Sequence, residues 1–139
     1  MSDCCKNDGK GLIYVCAGGS NVGQLTVEAG KALDSAGDAV MGCLAGLGGH
    51  VPGMVASAAS GVPVLVIDGC SIACGKKIVD HLGLQGYGYV DVTALGIKKE
   101  HNVNKTPAHQ IDETVSACRK ELARISKKSS NIPGSGCCS

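Results

Sequence analysis

Four short apolar runs recur along the chain, and the segments between them carry the periodic apolar positions of helices. The third run is apolar up to its final aspartate, which is typical of a central parallel strand that is buried on both faces. The other runs are similarly bounded by glycine or polar residues. The pattern predicts four strands, at about Gly11–Cys16, Ala39–Leu44, Val62–Asp68 and Tyr87–Val92.

The segment after the first strand predicts an amphipathic helix. Ser20 or Asn21 can cap its first turn, and Gly37 marks its end. Its apolar positions are Val22, Leu25, Ala29 and Leu33. Residues 45–53, which follow the second strand, are rich in glycine and are predicted to form a loop.

Three further helices are predicted downstream of that loop. They span about Met54–Ser60, about Ser71–His81, and a last segment that starts at Thr106-Pro107 and ends near Lys127. The last helix carries one apolar stripe, formed by Ile111, Val115, Cys118, Leu122 and Ile125. On this stripe Cys118 is expected to pack in the core.

Strands that alternate with helices predict an α/β fold with a parallel sheet and right-handed crossovers. We expect a single-domain three-layer sandwich of about four parallel strands with flanking helices and a C-terminal helix. A flavodoxin-like order of 2-1-3-4 would place the ends of strands two, one and three side by side. Residues 11–128 form the predicted domain, between flexible tails at 1–10 and 129–139.

Four of the nine cysteines occupy regular places in this scheme. Cys16, Cys43 and Cys70 end successive strands at equal sequence intervals, and Cys74 follows where a helix should begin. In a parallel sheet the three strand ends share one edge, so we expect four thiols there. Four thiolates are a typical ligand set for zinc, which prefers tetrahedral sulfur and nitrogen ligands.

The same four thiols leave two other chemistries open. An iron–sulfur cluster uses the same ligands. Alternatively, Cys70 or Cys74 could be the nucleophile of a thiol-based carrier or oxidoreductase. With Ser71 as the helix cap, Cys74 would lie in the first turn, where the helix dipole favours a thiolate. His50, in the predicted loop after strand two, is a further candidate ligand or proton carrier.

The cysteine pattern resembles that of a known family. Asp68-Gly69-Cys70 followed by Cys74, with Cys16 ahead of Gly18-Gly19-Ser20-Asn21-Val22-Gly23-Gln24, is similar to the DGC domain family, and the resemblance spans roughly residues 11–120. It implies zinc binding through Cys16, Cys43, Cys70 and Cys74, with no established biological role. Asp68 could orient backbone groups or accept a hydrogen bond near the sulfurs, and Gly69 would let the backbone approach the site.

Composition narrows the remaining functions. The net charge is +1, and the chain has no Phe or Trp and only three Tyr, which argues against nucleic-acid binding. No long apolar run predicts a membrane span, and the polar N-terminus predicts no signal peptide, so we expect a reducing cytoplasmic location with a metal ion as the ligand.

No Ser-His-Asp, Cys-His or paired-carboxylate set can be assembled, which favours a binding protein over an enzyme. The sequence does not identify a protein partner, and it assigns no role to Cys4, Cys5, Cys137 and Cys138 in the predicted tails.

Overall fold

Strands and helices alternate along residues 10–129, which the computed structural model describes. The strands are β1 (Gly11–Val15), β2 (Ala39–Met41), β3 (Val64–Asp68) and β4 (Gly88–Asp91). The helices are α1 (Asn21–Ser35), α2 (Leu44–Gly48), α3 (Pro52–Ala58), α4 (Cys74–His81) and α5 (Ala108–Ser129), with a 3₁₀ turn at Val92–Leu95. The predicted tails lie almost wholly outside the described residues.

The four strands form one parallel sheet in the order β2-β1-β3-β4. In its register Ile13 of β1 pairs with Met41 of β2 on one side and with Leu65 of β3 on the other. The predicted α/β fold, its strand order and its C-terminal helix are therefore confirmed. As a result the carboxyl ends of β2, β1 and β3 are neighbours on one edge of the sheet.

Apolar side chains alternate between the two faces of the sheet and give each face its own core. One face packs against α1 and α5, and its buried strand residues are Ile13, Val15, Ala39, Leu65, Ile67 and Val90. The other packs against α2, α3 and α4, and its strand residues are Leu12, Tyr14, Val64 and Val66. The molecule thus has three layers, with the sheet in the middle. No helix among residues 10–129 is long and apolar enough to cross a membrane.

Cys118 belongs to the core, as its place on the α5 stripe predicts. Its side chain is completely buried among the residues that join α1 and α5 to the sheet. Burial, together with the nearby charge of Glu121, raises the pKa of the Cys118 thiol to about 12. Cys118 therefore stays a protonated apolar side chain at neutral pH and is distinct from the cysteines at the sheet edge.

Two segments differ from the sequence prediction. The glycine-rich stretch after β2 contains α2, which forms because Leu44 and Leu47 bury their side chains against the sheet. The helix predicted from Ser71 begins only at Cys74, because Ala73 before it has a left-handed backbone with φ of 58°. Ser71 is therefore not the cap of α4, and another residue must satisfy the first amides of that helix.

Candidate metal centre

The four predicted site cysteines all lie at the carboxyl edge of the sheet. Cys16 directly follows β1, whereas Cys43 and Cys70 each lie two residues beyond the last residue of β2 and β3. Cys74 is the first residue of α4. Cys16 and Cys70 are half-buried, and Cys43 and Cys74 are exposed. Since adjacent strands are about 4.8 Å apart, three strands bring three of these thiols to one short edge.

The four thiols share this edge without converging on a single point. All four are free, with no disulfide between them. Among residues 10–129 there is no group of three or more His, Cys, Asp or Glu side chains placed closely enough to hold a metal ion. The strand order therefore brings Cys16, Cys43 and Cys70 to a common edge of the sheet.

The sulfur of Cys16 is surrounded by hydrogen-bonding groups. The backbone N–H of Gly69 donates to Cys16 Sγ at 3.3 Å, and the hydroxyl of Thr26 lies 3.9 Å from the same sulfur. Thr26 itself is buried, accepts from the N–H of Ala17 and donates to the carbonyl oxygen of Gly23. These contacts fix the sulfur of Cys16 at the carboxyl end of β1.

Lys99 lies beside Cys70, which the sequence did not predict. Its ammonium group donates to Cys70 Sγ at 3.4 Å. The loop that carries Lys99 is held by the buried side chain of Asn21, whose amide donates to the carbonyl oxygen of Lys98 at 2.8 Å and accepts from the N–H of Glu100 at 2.6 Å. Asn21 thus fixes the two neighbours of Lys99 and holds the cation next to the thiol.

Neither residue gave a usable local signal. Lys98-Lys99 has the sequence character of a solvated surface pair, and Asn21 was one of two possible helix caps. The structure makes Ser20 the cap, since its hydroxyl oxygen accepts from the N–H of Gly23. Because Ser20 caps the helix, the side chain of Asn21 can bind a loop that is far away in sequence. The sequence alone does not predict such a contact.

Asp68 supplies the missing cap of α4. Its carboxylate is buried and accepts from the N–H groups of Gly75 at 2.8 Å and Lys76 at 3.0 Å, in the first turn of the helix. The hydroxyl of Tyr89 donates to the same carboxylate at 2.9 Å. Burial, followed by this bond and the charge of Asp68, raises the pKa of Tyr89. Asp68 therefore fixes where α4 begins, and with it the position of Cys74.

The glycine after Asp68 allows two backbones to touch. A Cβ at Gly69 would lie 2.8 Å from the backbone nitrogen of Gly23 and 2.8 Å from the carbonyl carbon of Val22, both in the first turn of α1. A Cβ at Gly23 would in turn lie 2.3 Å from the carbonyl oxygen of Gly18. These contacts pack the end of β3 against the start of α1, and they let the Gly69 N–H reach Cys16.

The sequence model of the DGC domain matches residues 12–118, which covers most of the chain. This protein belongs to the DGC domain family. The chain is also similar to the Anaerobic and virulence modulator AnvM of Pseudomonas aeruginosa, with 39% identity over 90 residues, which are 65% of this chain and 69% of that protein. A search of the solved structures found no match.

The structure gives each residue of the Asp-Gly-Cys motif a separate task in this DGC domain. Asp68 caps α4, Gly69 packs against α1 and donates to Cys16, and Cys70 presents its thiol beside Lys99. Asp68 is thus not in contact with the sulfurs, and it orients backbone groups, which was one of its two expected roles. The motif therefore organises the edge on which the other cysteines lie.

Proposed function

We propose that this DGC domain binds a divalent thiophilic metal ion, zinc in the first instance, through Cys16, Cys43, Cys70 and Cys74. The observation that carries the proposal is the strand order β2-β1-β3, which brings three strand-end cysteines to one edge beside the first residue of α4. Four cysteines match the number and type of ligands in closed structural zinc sites.

The surroundings of the sulfurs suit such a site. Four thiolates around a divalent ion leave two negative charges, which need nearby donors and cations. The Gly69 N–H at Cys16 and the Lys99 ammonium at Cys70 both compensate negative charge. Binding then requires the exposed side chains of Cys43 and Cys74 to turn toward the other two thiols, and their exposure leaves them free to rotate.

We propose a role in metal handling or regulation rather than catalysis. When bound, zinc supplies a cross-link between the loops after β1, β2 and β3 and contributes no redox chemistry. The similar protein of Pseudomonas aeruginosa is named as a modulator, which supports a regulatory role for this chain. Free thiols at an exposed edge are stable in a reducing compartment, so the cytoplasm is the proposed location.

Single cysteine-to-serine variants test the ligand set. Each of Cys16→Ser, Cys43→Ser, Cys70→Ser and Cys74→Ser should weaken zinc binding by more than about 100-fold, because loss of an outer-shell partner alone costs up to that much. Affinity is measured anaerobically by competition with a chromophoric chelator. Cys118→Ala is the control and should keep the parent affinity, since Cys118 lies in the core. Unchanged affinity in all four variants would overturn the proposal.

The contact between Lys99 and Cys70 favours a second candidate function, a thiol-based carrier or oxidoreductase. The ammonium group of Lys99 lies 3.4 Å from the sulfur of Cys70, and positive charge beside the sulfur is a usual feature of nucleophilic cysteines. In this alternative the Cys70 thiolate attacks one sulfur of a substrate disulfide, the S–S bond breaks with release of the other sulfur as a thiolate, and Cys74 is the nearby second thiol that can resolve the mixed disulfide. The two candidates differ in whether Cys70 remains reactive in the protein as it is isolated.

Substitution of Lys99 tests the reactivity of Cys70. Lys99→Met should slow alkylation of Cys70 severalfold at neutral pH in metal-free protein, because the variant loses the cation that stabilises the thiolate. Rates are measured by peptide mass spectrometry after timed iodoacetamide treatment. Lys98→Met is the matched control, since its exposed side chain can be removed while its carbonyl oxygen still bonds to Asn21. Equal rates in both variants would show that Lys99 does not activate Cys70.

A further inference from the structure

Two histidines meet away from the cysteines, at the C-terminal ends of α2 and α4. The imidazole rings of His50 and His81 have their centroids 5.3 Å apart and their planes at 73°. His81 is the last residue of α4, whereas Cys74 is the first, so the length of the helix, about 10 Å or more, separates the pair from that thiol. His50 therefore pairs with another imidazole and is not a member of the cysteine group.

The backbone of His50 adopts a conformation that normally belongs to glycine. Its φ is 56°, in the left-handed region. The N–H of His50 donates to the carbonyl oxygen of Leu47, and the N–H of Val51 donates to that of Gly46, which is the hydrogen-bond pattern of a Schellman motif at the end of α2. The left-handed position of this motif is usually glycine, yet here it carries an imidazole.

An unfavourable backbone conformation kept at a side chain with ligand chemistry points to a role for that side chain. Glycine would adopt this left-handed conformation more easily, yet the left-handed residue of the turn is His50 and not the preceding Gly49. What the histidine adds is a ring directed at His81. The left-handed turn is therefore a second observation, besides the ring contact, that favours a ligand-binding role for the two histidines.

The two helices that present the rings are held firmly against each other. Leu47 of α2 and Val79 of α4 are fully buried in the same core. A Cβ at Gly48 would lie 3.4 Å from Cδ1 of Ile78, so the two helix surfaces are in close contact just before the histidines. Both histidines are nevertheless exposed, so an ion can reach them from solvent.

We propose that His50 and His81 form a second metal site, which binds one divalent first-row transition metal ion through one nitrogen of each ring. Two imidazoles bound to a tetrahedral ion at about 2.0–2.1 Å place their ring centroids about 5 Å apart. The observed separation of 5.3 Å is close to that value, so rotation of the two exposed rings from their edge-to-face contact would bring one nitrogen of each to a common ion. Imidazole suits Zn²⁺, Ni²⁺ and Cu²⁺. Water fills the remaining positions, which leaves the ion open to a small ligand.

This site is independent of the cysteines, and its test reads the histidine rings directly. The full-length reduced protein is labelled with ¹⁵N in its histidine rings and titrated anaerobically with Zn²⁺. The ring resonances of His50 and His81 should shift together and saturate at one added ion beyond any bound by thiols. The resonances of the exposed His101 and His109 should not follow them.

Two variants separate metal binding from folding. His50→Gly removes the imidazole and suits the left-handed turn, so it should preserve the fold while weakening Zn²⁺ binding at His81 by more than about tenfold. His81→Ala should have the same effect on His50, and His109→Ala should have none. Ring resonances of His50 and His81 that do not respond to excess Zn²⁺, or a His81 resonance that responds equally in the His50→Gly protein, would overturn the proposal. Failure of the cysteine variants to lose zinc would leave this result untouched.

Discussion

Replacing Asp68 with alanine should lower the free energy of unfolding by about 3 kcal/mol or more. The buried carboxylate accepts from two amides in the first turn of α4 and from the hydroxyl of Tyr89. Without it, three donors lose their partner, and the N–H of Gly75 is buried with nothing to bond. Unsatisfied buried donors cost more than the net value of an ordinary hydrogen bond, and this decides the size of the effect.

Asp80 offers a matched control for this substitution. It also accepts a tyrosine hydroxyl, from Tyr87 at 2.5 Å, but it is exposed to solvent. Asp80→Asn should therefore change the free energy of unfolding by less than about 1 kcal/mol. Urea denaturation followed by circular dichroism measures both variants. An Asp68→Ala protein as stable as Asp80→Asn would mean that the carboxylate does not hold the start of α4.

Replacing Gly23 with alanine should destabilise the protein by about 2 kcal/mol or more, although alanine is the better helix former. The gain in helix propensity is at most about 1 kcal/mol. Against it stands a Cβ that would lie 2.3 Å from the carbonyl oxygen of Gly18. Because the opposing atoms belong to the backbone, they cannot rotate away, and steric overlap should outweigh propensity.

The control for Gly23 lies in the loop that precedes α1. A Cβ at Gly19 would meet no atom within 4 Å, so Gly19→Ala should leave the protein unchanged or more stable by up to about 1 kcal/mol. Thermal unfolding of the two variants, compared with the parent, measures the difference. If Gly23→Ala proved as stable as Gly19→Ala, the close packing of α1 on the Cys16 loop and the end of β3 would be refuted.

The sheet could be predicted because its information is local. Each strand is a short apolar run, and the connections between strands contain helices, so parallel pairing and right-handed crossovers follow. The position of Cys16, Cys43 and Cys70 at strand ends then predicts that they share one edge of the sheet. The sequence does not predict α2 because glycines are typical of loops, and the burial of its two leucines is established only in the folded protein.

The contacts around the site depend on residues far apart in sequence. Asp68 precedes α4 by several residues, and only the left-handed Ala73 turns the chain so that its carboxylate meets the helix. Lys99 reaches Cys70 because its loop is bound by the side chain of Asn21, which is far from Lys99 in sequence. The pairing of His50 with His81 likewise needs α2, which the sequence did not reveal.

Metal analysis of anaerobically purified protein, combined with its visible absorbance, tests the central claim most directly. The four-cysteine proposal predicts a colourless protein with one thiolate-bound zinc ion per chain, besides any ion held by His50 and His81, and loss of the thiolate-bound zinc when Cys70 is replaced by serine. A brown protein that contains iron would instead indicate an iron–sulfur cluster on the same thiols. Protein that carries no metal and takes up none when zinc is supplied would contradict the account.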